Sequence, residues 1–373
     1  MKVLHFYRTY FPDTQGGLEE AIRQICASTQ SHGVESRVLT LSPQPVPAVL
    51  HRPEGEVHRA QLIAEPASCS MGLGVFPRFR ELQDWADVVH YHFPWPFADV
   101  VRLWSRSNKP SVVTYHSDIV RQRWLGRLYR PLMSRFLSRA TRIVATSPNY
   151  ARTSTVLQRY QDKLTVIPLG LDEQGYPSLD TALAADVETR FGREFFLFIG
   201  VLREYKGLQF LIEAAKDLPF PVVIAGSGPQ EATLKAQALG SGNVHFVGRV
   251  SDELKVALLH TCRAVVLPSH LRSEAFGVFL LEGAMLGKPM ITAETGTGTS
   301  FVNVHEETGL VCRPADADSL RQAMLRLHVE PAFCQRAGDN ARQRFCQLFT
   351  AEVMGREYAN LYSSMRGSVR SDS

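Results

Sequence analysis

The chain has 373 residues, of which 45% are apolar and 21% charged, and its net charge is +4 at pH 7. These values are typical of a soluble globular protein of about two domains, and no apolar run approaches the ~20 residues that cross a bilayer. The charge is uneven, because residues 1–170 carry 21 Lys and Arg against 13 Asp and Glu, so we expect an anionic partner for the first half.

The six cysteines are scattered, without a Cys-x-x-Cys pair. This pattern favours a reducing compartment and argues against a zinc site or a disulfide framework. The N-terminus is too short and too polar to resemble a signal peptide. We therefore expect a cytoplasmic protein.

Residues 3–7 predict the first strand, and a predicted helix follows the pair Gly16 and Gly17. Glycine lets a backbone approach a phosphate closely, and the free N–H groups at a helix start bind anions. This arrangement is a candidate anion-binding turn, although most glycine pairs are simple turns. Residues 38–41 predict a second strand, and the proline-rich segment 42–53 predicts a loop.

Two short β-branched strands, at residues 87–94 and 110–118, each end in histidine. For His90 and His92 we favour a structural, hydrogen-bonded role, which is the commoner role of a single histidine. His116 differs, because it ends a buried strand where the ligands of open α/β sheets collect. It is a candidate for contact with substrate.

Residues 121–142 contain seven arginines and no acidic residue. At about 100° per residue, the apolar side chains occupy one half of a predicted helix, and Arg123, Arg127 and Arg130 lie opposite. The helix either packs on a core with a solvated basic face or lies on an anionic membrane surface. Both interpretations stay open, and they are compatible with each other.

Residues 142–147 and 164–170 predict the last strands of the first half, and the polar segment 171–189 is the best candidate for a linker. The second half then repeats the order of the first, with a strand at 195–202, a glycine turn and a helix. Two doubly wound parallel sheets produce such a duplication. The sequence therefore predicts an α/β chain with two Rossmann-like domains.

Two carboxylates, Glu274 and Glu282, stand eight positions apart between two predicted strands. Glu274 lies in a loop beside Phe276 and Gly277, and Glu282 lies in the helix that follows. Free N–H groups at the helix start suit phosphate, and carboxylates suit sugar hydroxyls. Glutamates at this spacing are usually solvated, but their place after a buried strand favours a sugar-nucleotide site.

Arg203 and Lys206 lie three positions apart, in the turn after the first strand of the second half. Both can face one pair of phosphates, Arg as a bidentate donor and Lys as a point charge. The alternative, a pair of exposed cations, is disfavoured by the flanking strand and glycines. Asp316 and Asp318 form an Asp-x-Asp, but they precede a helical pattern, so we interpret them as helix-capping residues rather than metal ligands.

Three patterns resemble the retaining glycosyltransferases of the GT4 family, which have the GT-B fold. They are the Glu-x7-Glu of Glu274 and Glu282, the Gly-Val-Leu-Arg-Glu-Tyr-Lys-Gly run at residues 200–207, and the Thr-Tyr-His-Ser-Asp turn at residues 114–118. The resemblance covers essentially the whole chain and is strongest in the second half.

The resemblance implies two facing doubly wound domains with a cleft between them. The first would span residues 1–172 and the second, which binds the nucleotide-sugar, residues 173–348. Within residues 349–373, a C-terminal helix would cross back onto the first domain.

The resemblance also assigns roles to individual residues. It implies that Arg203 and Lys206 bind the donor diphosphate and that His116 contacts the transferred sugar. It implies further that Glu274 binds that sugar and that Glu282 binds the ribose. His116, Glu274, Arg203 and Lys206 would be the catalytic residues. The remaining donor-binding residues that it implies are Gly16, Gly17, Arg249, Val250, Phe276, Gly277, Val278 and Phe279.

Many family members carry Gly-Gly-x-Pro-Glu where this chain has Gly-Thr-Gly-Thr-Ser, at residues 296–300. That variant resembles bacterial mannosyl- and rhamnosyltransferases of lipopolysaccharide O-antigen assembly, which use GDP-sugars. The resemblance implies a retaining, metal-independent transfer of mannose or rhamnose from a GDP-sugar to a lipid-linked or growing polysaccharide acceptor. We expect no cofactor besides the donor substrate, no nucleic-acid partner, and peripheral attachment at the inner face of the plasma membrane.

Other functions are weighed against this one. A transferase that uses a UDP-sugar and another lipid or small acceptor stays open. An NAD-binding protein is disfavoured, because neither half has Gly-x-Gly-x-x-Gly after its first strand. A non-catalytic module that binds membrane or nucleic acid could use the arginine-rich segment. It would not need Arg203, Lys206 and the two glutamates together.

Overall fold

The computed structural model describes residues 1–66, 69–118 and 123–366, with only the backbone of residues 123–128 and 366. The chain divides into two compact units. One comprises residues 1–170 together with the C-terminal helix, and the other comprises residues 171–350.

Within the described residues, the first unit forms an eight-stranded sheet in the order β3-β4-β2-β1-β5-β6-β7-β8. Its strands are β1 (Lys2–Phe6), β2 (Glu35–Ser42), β3 (Val49–Arg52), β4 (Gly55–Gln61), β5 (Val88–Phe93), β6 (Ser111–Tyr115), β7 (Arg142–Ala145) and β8 (Leu164–Val166). Its helices are α1 (Gly17–Gln30), α2 (Val75–Trp85), α3 (Pro96–Ser105), α4 (Arg123–Ser138), α5 (Pro148–Thr153) and, at the C-terminal end, α14 (Ala351–Arg366). All neighbouring strands are parallel except β3, which is antiparallel to β4.

The described part of the second unit forms a six-stranded parallel sheet in the order β11-β10-β9-β12-β13-β14. Its strands are β9 (Phe196–Ile199), β10 (Val222–Ala225), β11 (Val244–Gly248), β12 (Ala264–Leu267), β13 (Met290–Ala293) and β14 (Gly309–Cys312). Its helices are α6 (Thr181–Phe191), α7 (Leu208–Ala215), α8 (Glu231–Gln237), α9 (Asp252–Thr261), α10 (Val278–Met285), α11 (Thr299–Val302), α12 (Ala317–Val329) and α13 (Pro331–Leu348). Both units are Rossmann-like, which confirms the predicted fold class.

The two faces of the first sheet differ in chemistry, because side chains alternate along a strand. Phe6 of β1 and Tyr91 of β5 lie on one face, where Phe6 also packs on Trp95 with ring centroids 4.6 Å apart. His5 of β1 and His90 of β5 pair in register on the other face. This second face is therefore polar although it is buried.

Helix α14 covers the histidine face of the first sheet. The Tyr362 hydroxyl is 2.8 Å from His90 Nδ1, and the Tyr358 hydroxyl is 3.0 Å from Thr114 Oγ1. Gly355 approaches α1 so closely that a Cβ there would lie 2.4 Å from the Ser28 carbonyl oxygen. The C-terminal helix is thus part of the first unit.

One local prediction is wrong, and another is right only in part. The segment 42–53, predicted as a loop, contains the edge strand β3. Residues 49–52 lie between prolines, which suggested a loop, but they pair with β4. The boundary between the two units falls at the start of the predicted linker 171–189, but this segment also contains the start of α6. The side chain of Asp180 caps that helix by accepting from Ala182 N at 2.9 Å and from Leu183 N at 3.1 Å, a start signal that the sequence interpretation overlooked.

Two predicted helix caps are confirmed. Ser251 directly precedes a helical run, where serine is a favoured N-cap, and its hydroxyl accepts a hydrogen bond from Leu254 N at 3.2 Å at the start of α9. Asp316 Oδ1 accepts from Ser319 N at 2.9 Å at the start of α12. Asp316 is therefore a capping residue, as its place before the helical pattern predicted.

Candidate functional site

The candidate site of the second unit lies where the strand order reverses. Strand β9 has β10 on one side and β12 on the other, so the loops after β9 and β12 leave the same edge of the sheet and turn to opposite faces. Ligands of doubly wound sheets bind in the crevice at such a point. Lys206 follows β9, and Glu274 follows β12.

The side chains of Lys206 and Glu274 form an ion pair across this point, Nζ to Oε2. They are 15% and 11% exposed, and the Ser269 hydroxyl lies 3.4 Å from the same carboxylate oxygen. Burial lowers the pKa of Lys206, but the charges of Glu274 and Tyr205 and the hydrogen bond to Glu274 together outweigh this effect, and the pKa lies above its usual value. Lys206 is therefore a cation at neutral pH, held where a ligand's anionic group can replace Glu274.

Glycine permits the close approach of the two loops. Gly207, directly after Lys206, has a φ of +72°, and a Cβ there would lie 2.1 Å from the carbonyl oxygen of Pro268. Both the left-handed backbone and the contact exclude other residues. The turn after β9 can thus pack against the loop after β12.

The N-terminus of α10 presents backbone donors beside Glu274. Gly277 precedes the helix with a φ of +86°, and the next amides, those of Val278 and Phe279, have no partner within the helix. Phe276 is buried behind this turn. Such donors, together with the helix dipole, favour a phosphate group.

The segment 296–300 packs directly on the Glu274 loop. Gly298 N donates to the Ala275 carbonyl at 2.7 Å, and a Cβ on Gly298 would lie 2.7 Å from the Phe276 ring. Thr295 and Thr297 are joined through their hydroxyls at 2.9 Å. The Gly-Thr-Gly-Thr-Ser sequence is therefore part of the wall of the site.

Glu282 of α10 is held by two residues that the sequence interpretation missed. Its Oε1 accepts from the Tyr176 hydroxyl at 2.9 Å and lies 3.1 Å from Lys255 Nζ, and Glu282 is 12% exposed. Lys255 also lies over the Tyr176 ring, 4.9 Å from its centroid. Tyr176 lies in the predicted linker, and Lys255 in a helix with no motif, so their partnership follows only from tertiary packing.

The other predicted donor residues of this unit stand at the same edge with exposed or half-buried side chains. Arg203 precedes Lys206 and is exposed, and Arg249, after β11, donates from Nε to the Ser227 hydroxyl at 2.7 Å. Val250 is half-buried. The structure thus brings Lys206 and Glu274 into contact and leaves the two arginines at the rim.

In the first unit, Gly16 and Gly17 stand at the start of α1, as predicted. Glu19 occupies this turn, where its Oε1 accepts from the hydroxyls of Thr9 at 2.8 Å and Thr14 at 2.9 Å. A Cβ on Gly16 would lie 2.8 Å from Glu19 Oε2. The carboxylate therefore sits beside the predicted anion-binding turn, and phosphate binding there stays a prediction.

His116 lies at the carboxyl edge of the first sheet, 7% exposed. Its Nε2 is 3.0 Å from His92 Nδ1, and His92 Nε2 is 3.2 Å from His5 Nδ1. Burial lowers the pKa of His5 and His116 to about 3, so both are neutral at pH 7. His90 bonds Thr114 Oγ1 at 2.7 Å. The hydrogen-bonded structural role predicted for His90 and His92 is confirmed, and His5 was overlooked.

His5, His90 and His92 bring ring nitrogens within 4.8 Å of one another, close enough to suggest a metal centre. Their geometry does not fit one. His90 and His92 stack with ring planes at 28°, and His92 Nε2 faces His5 Nδ1 at 3.2 Å, the distance of a hydrogen bond. Both nitrogens of His90 and both of His92 already form hydrogen bonds.

Helix α4 carries the arginine-rich segment. Phe136 and Leu137 are buried, as expected for its apolar side, whereas Arg130 and Arg135 are exposed. The side chains of Arg123 and Arg127 lie outside the described residues. Across the part of the chain that the structure describes, no helix is long and apolar enough to cross a membrane.

Two Rossmann-like units, the second with cations, carboxylates and helix-start amides at its switch point, define the class of GT-B glycosyltransferases. Solved structures agree with this fold. The sucrose-phosphate synthase of Thermosynechococcus elongatus superposes with a TM-score of 0.81 at 22% identity and covers 98% of this chain and 99% of its own.

Family models and relatives identify the family. Residues 16–170 match the glycosyl transferase 4-like domain, and residues 183–344 match glycosyl transferases group 1. The chain is 56% identical to the D-rhamnosyltransferase WbpZ of Pseudomonas aeruginosa, over 94% of this chain and 93% of the relative. It is 45% identical to O-antigen chain mannosyltransferase C of Escherichia coli, over 98% and 99%. The chain belongs to this family of glycosyltransferases.

Proposed function

We propose that this enzyme is a retaining hexosyltransferase that moves rhamnose or mannose from a GDP-sugar to a lipid-linked or growing polysaccharide acceptor of O-antigen synthesis. The observation that carries the proposal is the 56% identity to a D-rhamnosyltransferase over nearly the whole chain. The O-antigen mannosyltransferase at 45% identity supports the same class of donor and acceptor.

The switch-point residues supply the chemistry that such a transfer needs. Departure of the nucleoside diphosphate places negative charge on the leaving phosphate. Lys206 and the amides at the start of α10 stand where they can oppose that charge. Arg203 at the rim adds a second cation that can bind bidentately.

The two glutamates would then bind the neutral parts of the donor. Glu274 is paired with Lys206 in the unliganded protein. A diphosphate that takes over Lys206 frees the carboxylate to accept hydrogen bonds from hydroxyls of the transferred sugar. Glu282, oriented by Tyr176 and Lys255, would accept from the ribose hydroxyls.

A donor screen tests the proposal. Full-length enzyme is titrated calorimetrically with GDP and with UDP, and then incubated with GDP-mannose, GDP-rhamnose and UDP-glucose on a polyprenyl-diphosphate oligosaccharide. We expect tighter binding of GDP and product from a GDP-sugar alone, with the donor's anomeric configuration retained in the product's NMR spectrum. Transfer from UDP-glucose alone would replace the GDP-sugar by the UDP-sugar alternative, and an inverted product would overturn retention.

We also propose that the first unit docks reversibly on anionic membrane, where a lipid-linked acceptor resides. Arg130 and Arg135 are exposed on α4, which packs on α3 through a hydrogen bond from the Tyr129 hydroxyl to Asp99. Helix α3 exposes Trp104, whose ring packs edge-on against Phe76 at 4.9 Å. Exposed arginines and an exposed tryptophan on two neighbouring helices are suited to a lipid surface.

Vesicle co-sedimentation tests the docking. Replacing Arg123, Arg127 and Arg130 by Ser should weaken binding to anionic vesicles roughly 100-fold, because each basic residue near such a surface contributes about 1 kcal/mol. Binding of the unchanged enzyme should also fall between 0.1 M and 1 M salt.

The control replaces three arginines of the second unit, Arg190, Arg193 and Arg313, which are exposed as well. This control variant should bind the vesicles like the unchanged enzyme. Equal recovery of the unchanged enzyme with neutral and anionic vesicles at low salt would refute the membrane proposal and leave the transferase proposal standing.

A further inference from the structure

Three buried histidines form a hydrogen-bonded line across three adjacent strands of the first sheet. His5 lies on β1, His92 on β5, and His116 directly after β6. His5 Nδ1 is 3.2 Å from His92 Nε2, and His92 Nδ1 is 3.0 Å from His116 Nε2. We call these three residues the histidine line. It joins the carboxyl edge of the sheet to its interior.

The protons of the line can be arranged in only two ways. Burial lowers the pKa of each of the three rings, so each is neutral and has one N–H donor and one bare acceptor nitrogen. Each contact needs one donor and one acceptor. The N–H donors must therefore all point toward His116 or all point toward His5. Moving the proton to the other nitrogen of the ring at one end moves it on the other two rings as well.

The inner end of the line distinguishes the two arrangements. His5 is fully buried, and its Nε2 has no hydrogen-bond partner among the described residues. If the donors pointed inward, this atom would be an N–H group buried without an acceptor. Orphaned buried N–H groups are rarer in proteins than unpaired acceptors. The arrangement with a bare His5 Nε2 is therefore favoured, and it places a proton on His116 Nδ1.

The outer end points to a ligand. His116 Nδ1 forms no hydrogen bond with the residues that the structure describes, although the ring itself is almost buried. A nitrogen held as N–H at the sheet edge is a donor and not an acceptor. It therefore selects an oxygen lone pair of its ligand.

We propose that His5 and His92 are positioning residues that hold His116 with its proton on Nδ1, so that His116 donates a hydrogen bond to an oxygen of the sugar substrate. The proposal rests on the proposed function for the identity of that ligand. The proton placement itself rests on the histidine line alone.

His90 provides a matched control in the same strand. It stacks on His92 with centroids 4.4 Å apart, but its own nitrogens bond Thr114 and Tyr362, outside the line. His90→Phe would therefore disturb the same buried face without removing a donor from the line. An effect shared by His5→Phe and His90→Phe would reflect packing, and an effect of His5→Phe alone would reflect proton placement.

The decisive measurement is long-range ¹H–¹⁵N NMR on the full-length enzyme with ¹⁵N-labelled histidine and no substrate, which distinguishes protonated from bare ring nitrogens. In the unchanged enzyme we expect His116 with Nδ1 protonated and Nε2 bare, and His5 with Nε2 bare. In His5→Phe no donor keeps His92 Nε2 bare, and the Phe ring face can accept a weak N–H···π contact from it, so we expect both tautomers of His116. His5→Asn, which keeps an N–H donor near the position of Nδ1, should restore the single tautomer.

The unchanged enzyme already decides the matter, even if the variants do not fold. A proton on His116 Nε2 would overturn the proposal, and so would a His116 spectrum that His5→Phe leaves unaltered. In transfer assays, His5→Phe should lower kcat/KM about fivefold, the loss of one neutral hydrogen bond, while the Kd of GDP stays unchanged and His5→Asn recovers the rate. If no sugar is transferred by any form, the proposed function fails, whereas the NMR result still tests the histidine line.

Discussion

The two sheets of this glycosyltransferase are both doubly wound, and they differ in the chemistry of their switch points. In the first unit the strand order reverses between β1 and β5, and in the second between β9 and β12. The first switch point holds neutral histidines in a hydrogen-bonded line. The second holds the ion pair of Lys206 and Glu274.

The comparison shows how each unit stabilises the polar groups that it buries at its switch point. A charge away from water must be paired, because desolvation penalises it by several kcal/mol, and Lys206 and Glu274 are paired. A neutral imidazole needs only hydrogen bonds, and the histidines provide them for one another. A charged pair suits a site that receives a diphosphate, whereas a neutral line suits a site that meets hydroxyl groups.

The largest expected effect tests the charged switch point. Lys206→Ala should lower kcat/KM by at least roughly 100-fold, the loss seen when a donor to a developing anion is removed, and it should weaken GDP binding. Turnover and calorimetry measure the two effects.

The matched control is Lys235→Ala. Lys235 also pairs with a glutamate, Glu231 at 2.8 Å, but on the surface of α8 with 52% exposure. It should leave both turnover and binding unchanged. Equal activity of the Lys206 and Lys235 variants would show that the switch-point charge is not used.

Acid should destabilise the first unit more than the second. Burial lowers the pKa of His5 and His116 from 6.5 to about 3, so below pH 6.5 the unfolded chain takes up protons that the folded unit cannot. Stability is therefore lost as the pH falls from 6.5 toward 3, by about 2 kcal/mol per histidine at pH 5. The pKa of His90 and of His92 is lowered in the same direction.

Tryptophan fluorescence measures this loss selectively. All four tryptophans, Trp85, Trp95, Trp104 and Trp124, lie in residues 1–170. Urea unfolding followed at pH 7.5 and pH 5 should show a lower midpoint at pH 5. Hydrogen exchange in β9 and β12 should change less. The histidines of this unit whose pKa burial lowers, His245, His260 and His270, are half-buried or exposed, and Lys206 stays charged at both pH values. Equal loss in both units would refute the contrast.

A smaller effect tests the orientation of Glu282. Tyr176→Phe removes the hydroxyl that donates to Glu282 Oε1 at 2.9 Å and keeps the ring under Lys255. Affinity for GDP should fall about fivefold, the worth of one hydrogen bond of about 1 kcal/mol. Affinity for inorganic diphosphate, which has no ribose, should not change. A loss shared by both ligands would mean that Tyr176 supports the fold of the site rather than the ribose contact.

For the last prediction, removal of metal ions, we expect no change in turnover. If Lys206, Arg203 and the α10 amides oppose the charge of the leaving phosphate as proposed, no metal ion is needed for this, and turnover should persist in EDTA. The control measures turnover in EDTA with added Mg²⁺ or Mn²⁺. A chelation loss that Mg²⁺ or Mn²⁺ restores would contradict the prediction of metal independence.

Local patterns were enough to predict much of this protein from its sequence. The β-branched runs and glycine turns indicated two Rossmann-like halves. The start signals at Ser251 and Asp316 predicted caps that the structure has. Likewise, the place of Glu274 and Glu282 after a predicted buried strand indicated a sugar-nucleotide site at the end of that strand. These features depend on residues within one or two turns of each other, so the sequence displays them directly.

Tertiary structure alone decided which distant groups meet. Lys206 and Glu274 stand 68 positions apart, Tyr176 and Glu282 106, and His5 and His92 87. No local propensity encodes such contacts, because they depend on which strands become neighbours in the sheet. Strand β3 was missed for the same reason, because it is stabilised by pairing with β4 and not by a local pattern of its own residues. The sequence determined which side chains stand at each strand end. The order of the strands in the sheet decided which of these side chains come into contact.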